Sequence, residues 1–253
     1  MSGQGQIPTN KRLLVLLEEV VQARQPVPPA VLNEKLQLPK ATLHRLCATA
    51  EADGFLERAL DGRSFGPGPR LRQLAVATLS SEPLRSVRAT ILRGLAREIG
   101  ETCNIAIPGA GGMVYLDRVE THWPLRIQLP VGSEVPFHAT ASGKMYLSSL
   151  RRDYLDRLLK YHQLTKMTAT TLTDRDALQT DLAQARAQGY ATDAQEFMDG
   201  MVALAVPIFD DGQRPVATLS VHAPVQRYDL EGMVGFLAPL REAADDLGAL
   251  LAQ

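Results

Sequence analysis

The sequence predicts an α+β chain in two parts. The first is small, helical and ends in a hairpin; the second is larger and built on an antiparallel sheet flanked by helices. Three observations carry this. Residues 10–54 repeat apolar side chains at helical spacing. A Gly-Pro-Gly-Pro run at 66–69 interrupts that pattern. Beyond residue 100, apolar segments of strand length come in pairs joined by short turns, with amphipathic helices between the pairs. A chain of 253 residues, 45% of them hydrophobic, has the length and the apolar material for two cores.

The first helix is expected over 10–23, with Leu13, Leu16, Leu17, Val20 and Val21 on one stripe. "QPVPP" (25–29) ends it and starts a short helix at 29–39 that closes in a tight turn. The third helix, 40–54, sets Leu43, Leu46, Cys47 and Ala50 at i, i+3, i+4 and i+7, and Gly54 stops it. "FLERALDGRSFG" (55–66) holds two short extended segments around Asp61-Gly62, a hairpin signal. Residues 1–66 therefore have the order of a winged helix-turn-helix. A three-helix bundle with a trailing hairpin satisfies the same pattern.

Residues 67–82 predict a linker helix with Leu71, Leu74, Ala75, Thr78 and Leu79 on one stripe. Too little neighbouring sequence is available to cover that stripe, so it calls for a dimer contact or a docking surface. The second domain, 83–253, opens with a helix that turns Leu84, Val87, Ile91, Leu95 and Ile99 inward and stops at Gly100. Segments 102–107 and 113–119 form a hairpin around "PGAGG", and 125–131 adds a strand. Helices follow at 153–162 and 173–189, the latter with Thr173 as N-cap, Asp176 at the capping-box position and Gly189 as stop. Strands 201–210 and 214–224 pair through "DDGQ". A last helix, 229–251, buries Met233, Leu237, Leu240, Ala244, Leu247 and Leu251 and kinks at Pro239.

The net charge of −1 hides an asymmetry: residues 1–80 carry 10 Lys+Arg against 7 Asp+Glu, and residues 81–253 carry 17 against 21. A small basic module joined to a larger acidic one fits that division. Cys47 and Cys103 stand in no metal-like spacing, so neither a disulfide framework, a metal site nor a cofactor is expected. The N-terminal "MSGQGQIPTNKR" has no apolar stretch of signal-peptide type, and no run approaches 18 apolar residues. The expectation is a cytoplasmic protein without a membrane partner.

"VPFHATASGKMYLSSL" (135–150) crowds His138, Thr140, Ser142, Gly143 and Lys144 together. It fails as a phosphate loop: Met145 follows Gly143-Lys144 where a hydroxyl is required, and His138 stands where the first glycine belongs. It fails as a Ser-x-x-Lys nucleophile, since Ala141 lies three residues before Lys144, and Ser142 has no Gly-x-Ser-x-Gly elbow. His138, His222 and Asp193 could still meet a serine in space. His122 and His162 read as surface residues. No catalytic residue is assigned.

"LPKATLHRLCATAEADGFLER" (38–58) is similar to the recognition-helix region of the IclR family of bacterial transcription regulators. "PFHATASGKMYLSSL" (136–150) resembles that family's effector-domain signature, and "AQEFMDGMVALAVPIFDDGQRPVATLSVHAP" (194–224) its last core strands. The resemblance runs through nearly the whole chain in the right order. It implies a winged helix-turn-helix, a linker helix and a GAF-like domain that binds a small organic acid. It also implies homodimers, often dimers of dimers, on double-stranded operator DNA.

With Leu43, Leu46 and Ala50 inward, Thr42, His44 and Arg45 project from the N-terminal half of the recognition helix. Arg45 can grip guanine, Thr42 can reach a base or phosphate, and Lys40 is placed for phosphate. Arg58 and Arg63 on the wing complete the DNA set. In the effector domain, the resemblance puts backbone anion donors at Ala141 and Ser142, with Gly143 as a permissive turn residue. Further matches fall on Asp193, Met201, Ala203, Ser220 and His222, and Ile127 and Val135 add apolar wall. Relatives that take small keto acids carry cysteine where Ala203 stands and serine where His222 stands. The extra room and the flat ring argue for a larger ligand, an aromatic carboxylate. Lys144 either caps loop carbonyls or is solvated. The expected function is a ligand-responsive regulator of a catabolic operon. The alternatives are a sensor module with no DNA role and a hydrolase built on Ser142 or Ser220.

Overall fold

The computed structural model describes residues 7–23, 25–59, 61–79, 82–109, 111–124, 128–211 and 214–250. The chain divides into two compact units, Met1–Leu79 and Ser80–Gln253.

In the first unit a short 3-10 turn, Thr9–Lys11, leads into α1 (Arg12–Ala23), followed by α2 (Pro29–Leu36) and α3 (Lys40–Ala52). Pro29 occupies the first position of α2, where its missing N–H costs nothing. Gln37 then adopts the left-handed conformation, φ 50°, and Asn33 clamps the turn: its amide accepts from Leu38 N at 2.9 Å and donates to Leu38 O at 3.0 Å. This is the three-residue turn of a helix-turn-helix, built by one side chain. Leu16, Val20, Leu32, Leu36, Leu43, Cys47, Ala50, Leu56 and Phe65 form the core. Val21 was expected on the α1 stripe but faces outward. The wing pairs β1 (Leu56–Arg58) with β2 (Phe65–Pro67), and Val27 bridges to Phe65 as a third edge. Asp61 and Gly62 make the wing turn, with Asp61 Oδ1 accepting from Arg63 N and Ser64 N, both at 2.8 Å. The linker helix is α4 (Pro69–Leu79); within this unit Leu74 is 51% exposed and Ala75 is also exposed.

The second unit holds a six-stranded antiparallel sheet in the order β5-β4-β3-β8-β7-β6. Its strands are β3 (Thr102–Pro108), β4 (Gly112–Val119), β5 (Glu134–Pro136), β6 (Ala191–Ala194), β7 (Met201–Phe209) and β8 (Pro215–Pro224). One face carries Cys103, Ile105, Val202, Leu204, Val206, Leu219 and Val221, against α5 (Glu82–Ile99) and α10 (Leu237–Ala249). The other face is covered by α6 (Ala141–Ser149) and α8 (Arg175–Gln188), with α7 (Arg152–Tyr161) in the same apolar cluster as the β4–β5 end.

Five local expectations are corrected. No strand occupies 128–131, and residues 125–127 lie outside the described residues; pairing begins at Glu134, after a turn in which Gly132, φ 89°, donates to Tyr115 O at 2.8 Å. Pro130 lacks the N–H that a ladder would need there. In α5 the buried face is Arg88, Leu92, Leu95 and Ile99, and Val87 is 45% exposed. The cause is Asp117 on β4, whose Oδ2 lies 2.6 Å from Arg88 Nε and draws that face inward. The N-cap of α8 is Asp174, not Thr173; its side chain accepts from Ala177 N, and Asp176 simply sits in the first turn. Gly189 stops that helix as expected, at φ 75°. The last helix does not kink at Pro239 but breaks earlier, giving α9 (Leu230–Val234) and α10, with Pro239 in the first turn of α10, where no N–H is missed. Leu251 lies outside the described residues.

Candidate functional site

Two regions gather the residues singled out from sequence. In the first unit, Lys40, His44, Arg58 and Arg63 line one cleft of about 580 Å³ between the start of α2, α3 and the wing. At 100° per residue, Arg45 stands opposite the buried Leu43–Cys47–Ala50 stripe, fully outward, and Thr42 is half-buried on the other flank. Arg58 is not a loose cation: its Nε lies 2.7 Å from Glu51 Oε1, its Nη1 donates to Gly62 O, and its guanidinium stacks 4.7 Å over Phe65. Burial pushes the Cys47 thiol up, so this cysteine is packing rather than a nucleophile.

In the second unit the register aligns the predicted ligand residues in rows. Asp193, Ala203, His222 and Thr102 are successive cross-strand partners from β6 to β3; Ala191, Ala205, Ser220, Asn104 and Arg118 form the adjacent row. Directly opposed residues share a face, so Asp193, Ala203, Ser220 and His222 lie together, with Met201 next in phase on β7. Val135 shares this side of the sheet but packs in the apolar cluster with Tyr115, Phe137 and Leu147. Ile127 lies outside the described residues.

Ala141 and Ser142 are not in a tight turn. They are the first two residues of α6, and Ala141 packs with Ala203 and Ala205. Thr140 is the N-cap: its hydroxyl accepts from Gly143 N at 3.1 Å and donates to Pro136 O at 2.8 Å. The N–H groups of Ala141 and Ser142 are the first-turn donors this cap does not take, and the helix dipole favours an anion there. Ser142 Oγ is buried and has no partner among the described residues. Gly143 is helical, and its role is close approach: a Cβ would come within 2.2 Å of the Phe137 carbonyl oxygen.

Lys144 neither caps carbonyls nor meets solvent. It is wholly buried, with Nζ 2.6 Å from Glu196 Oε1 and 3.1 Å from Asp181 Oδ2. Asp193 Oδ1 accepts from Glu196 N at 2.6 Å and Phe197 N at 3.3 Å, so it also shapes the loop that carries Glu196. Burial raises the Asp193 carboxyl to about 7, against the lowering effect of the Glu196 N–H. His222 moves the opposite way, down to about 3, through burial and then the nearby Arg118 charge. It is therefore neutral, with Nε2 3.3 Å from Ser220 Oγ.

That Ser-His contact does not make a hydrolase. A ring that protonates near 3 is a poor base for a serine proton at neutral pH. His138 bonds to the Thr165 carbonyl at 2.9 Å. Among the described residues no cluster of three or more His, Cys, Asp or Glu could hold a metal ion, and no helix is long and apolar enough to cross a membrane. A groove of about 480 Å³ between α6, α7 and α8 contains none of the predicted ligand residues.

Comparison with known proteins decides between the readings. The family model "Bacterial transcriptional regulator IclR C-terminal" matches residues 76–249. The chain belongs to the IclR family. It is 37% identical to the probable transcriptional regulator SauR of Cupriavidus necator, over 93% of this chain and 94% of that protein. It is 31% identical to the transcriptional repressor IclR of Escherichia coli, over 96% and 89%. Its fold matches an IclR homologue from Microbacterium hydrocarbonoxydans, solved in complex with 4-hydroxybenzoate, at a TM-score of 0.62 and 27% identity, covering 96% of this chain and 99% of that one. As an IclR-family protein it is a transcription regulator with a DNA-binding and an effector-binding function, and it is not an enzyme.

Sequence reasoning missed three residues on the α6-covered face of this IclR-type domain. Tyr115 sits edge-on to His222 at 6.3 Å, and Arg118 lies 5.8 Å from the Tyr115 ring centre with Nη1 donating to Asn104 Oδ1 at 2.7 Å. Strict alternation puts residues 115 and 118 on opposite faces. A bulge in the β3–β4 pairing, at Ile105/Ala106, brings them to the same one. In the sequence Arg118 stands beside Asp117 in a strand with no other charge, and nothing in that pattern marks it as a ligand residue.

Proposed function

We propose that this protein controls a catabolic operon by sensing an aromatic carboxylate held between the N-terminus of α6 and the polar face of the sheet. The observation that carries the reading is the pair of first-turn N–H groups at Ala141 and Ser142, with the Ser142 hydroxyl, which has no partner among the described residues, beside them. One carboxylate satisfies all three. Met201, Ala203, Asp193, Ser220 and His222 would choose what is attached to it; Ala203 leaves room for a ring and neutral His222 offers a flat, polar surface. Val135 and Ile127 would serve as apolar wall. The homologue solved with 4-hydroxybenzoate is in keeping with a ligand of this size.

Residues 1–66 would bind the operator, with Arg45 and Thr42 on bases, Lys40, Arg58 and Arg63 on phosphates, and His44 on the wing-facing flank. The α4 segment within 67–82 would carry the signal from the effector domain, 83–253. Its exposed Leu74 side suits a homodimer, which can assemble further into a dimer of dimers. Two copies reading a pseudo-palindromic operator would offset the weak phosphate attraction of a module with a small positive excess. The effector would shift the placement of the two winged modules through its different affinity for the two states.

A gel shift with the DNA upstream of the gene, with and without 4-hydroxybenzoate, tests this. The expected result is a specific complex whose affinity changes with the aromatic acid. A complex that responds to glyoxylate or pyruvate and not to aromatic acids would refute the ligand class.

A further inference from the structure

Asn104 and Arg118 are cross-strand partners on β3 and β4, and β3 lies two strands from β7, where Ala203 stands. Arg118 Nη1 donates to Asn104 Oδ1 at 2.7 Å. A guanidinium has only donors, so the amide oxygen has to face it and the amide NH2 has to face away. That NH2 is fully buried and meets no acceptor among the described residues. A buried polar group left unpaired is destabilising until something supplies its partner. The Arg118 side chain is 4% exposed, and its charge is felt at both Tyr115 and His222. Its carboxylate neighbour Glu120, 3.2 Å from Nε, is a third exposed, so water screens that contact from one side.

We propose that Asn104 and Arg118 form a second anion anchor, and that the effector is an aromatic acid with a second carboxylate at the opposite end of the ring. This rests on the reading that Ala141 and Ser142 hold the first carboxylate. Ala141 packs on β7, and two strand spacings of ~4.8 Å put the anchors about 10 Å apart along the sheet. A ring bearing acids at opposite ends covers that span; a two- or three-carbon acid does not. The cation also distinguishes a second carboxylate from a neutral phenol, because a charge-assisted hydrogen bond is roughly twice as strong as a neutral one.

Isothermal titration of the full chain with terephthalate and with benzoate is the test. The wild type should bind terephthalate about 10- to 100-fold more tightly than benzoate. Asn104→Asp keeps an oxygen for Arg118 but replaces the NH2 with an anionic oxygen. It should erase the preference while leaving benzoate affinity within about threefold of wild type. If that variant does not fold, Asn104→Ser removes the NH2 without adding charge and should reduce the preference by about threefold or more, the Arg118 cation remaining. Equal affinity for the two acids in the wild type, or a terephthalate preference that survives the substitutions undiminished, overturns the second anchor alone. Failure of both acids to bind the wild type overturns the α6 carboxylate site along with it.

Discussion

Lys144 and Glu196, 52 residues apart in the chain, form a buried ion pair with Nζ 2.6 Å from Oε1. The pair joins α6 to the loop that follows β6, so it fixes the helix N-terminus against the strand that carries Asp193. Removing one partner leaves the other charged and dry. Lys144→Met should cost about 3–5 kcal/mol in urea unfolding. Adding Glu196→Gln should recover much of it, because the stranded charge is gone while the contact with Ala194 N can remain. A single variant as stable as wild type would show that Glu196 takes up a proton or reaches water once the lysine is gone.

Gly143→Ala sets two effects against each other. Alanine is the better helix former, by ~1 kcal/mol. A Cβ 2.2 Å from a backbone carbonyl cannot be accommodated without moving Phe137 or α6, at a typical cost of about 1–3 kcal/mol. The net should be a lower melting temperature. An unchanged or raised one would mean that the Phe137 segment yields freely.

Arg45→Ala should abolish specific operator binding at physiological salt in a fluorescence titration, since one bidentate base contact is worth about 1–3 kcal/mol and the proposed dimer would lose two. Arg58→Ala should cost less and cost it equally on all sequences, because this guanidinium is already shared with Glu51 and Phe65. The salt dependence of the titration separates the cases: only a phosphate contact flattens its slope.

His222 makes the stability of the second unit sensitive to acid. Its folded pKa, down to about 3, lies below the ordinary value, so the unfolded chain takes up the proton first as pH falls. Stability from this group is present above about 6.5 and is lost on acidification toward 3. Asp193 works against it: with a folded value raised to about 7, it favours the folded state increasingly as pH falls from 7 toward 4. Melting curves between pH 7 and 5 should therefore show His222→Gln losing less stability on acidification than wild type, and Asp193→Asn losing more. The reverse order would contradict both burial assignments.

Local order was legible wherever a single residue type dictates it. Gly189 as a helix stop, Asp61-Gly62 as the wing turn and the period of Leu43, Cys47 and Ala50 all follow from short-range sterics. The family resemblance singled out Ala203, Ser220 and His222, and the strand pairing puts all three on one face. What could not be read depends on partners distant in sequence. Val87 yields its place to Arg88 because Asp117 waits on β4. Lys144 is buried because Glu196 arrives from another element. Arg118 joins Tyr115 because of one bulge, a break in the periodicity on which a sequence reading depends.

The strands β3 and β8 are used from both sides. Thr102, Asn104, Thr218, Ser220 and His222 face α6, while Cys103, Ile105, Leu219, Val221 and Ala223 fill the core toward α5 and α10. Neighbouring codons thus answer to different demands. With the effector on the α6 side, as proposed, single substitutions at the even-numbered positions of these strands would retune what the domain recognises while the wall that α5 leans on stays intact. A regulator built this way can be handed from one metabolite to another during evolution without first being unfolded.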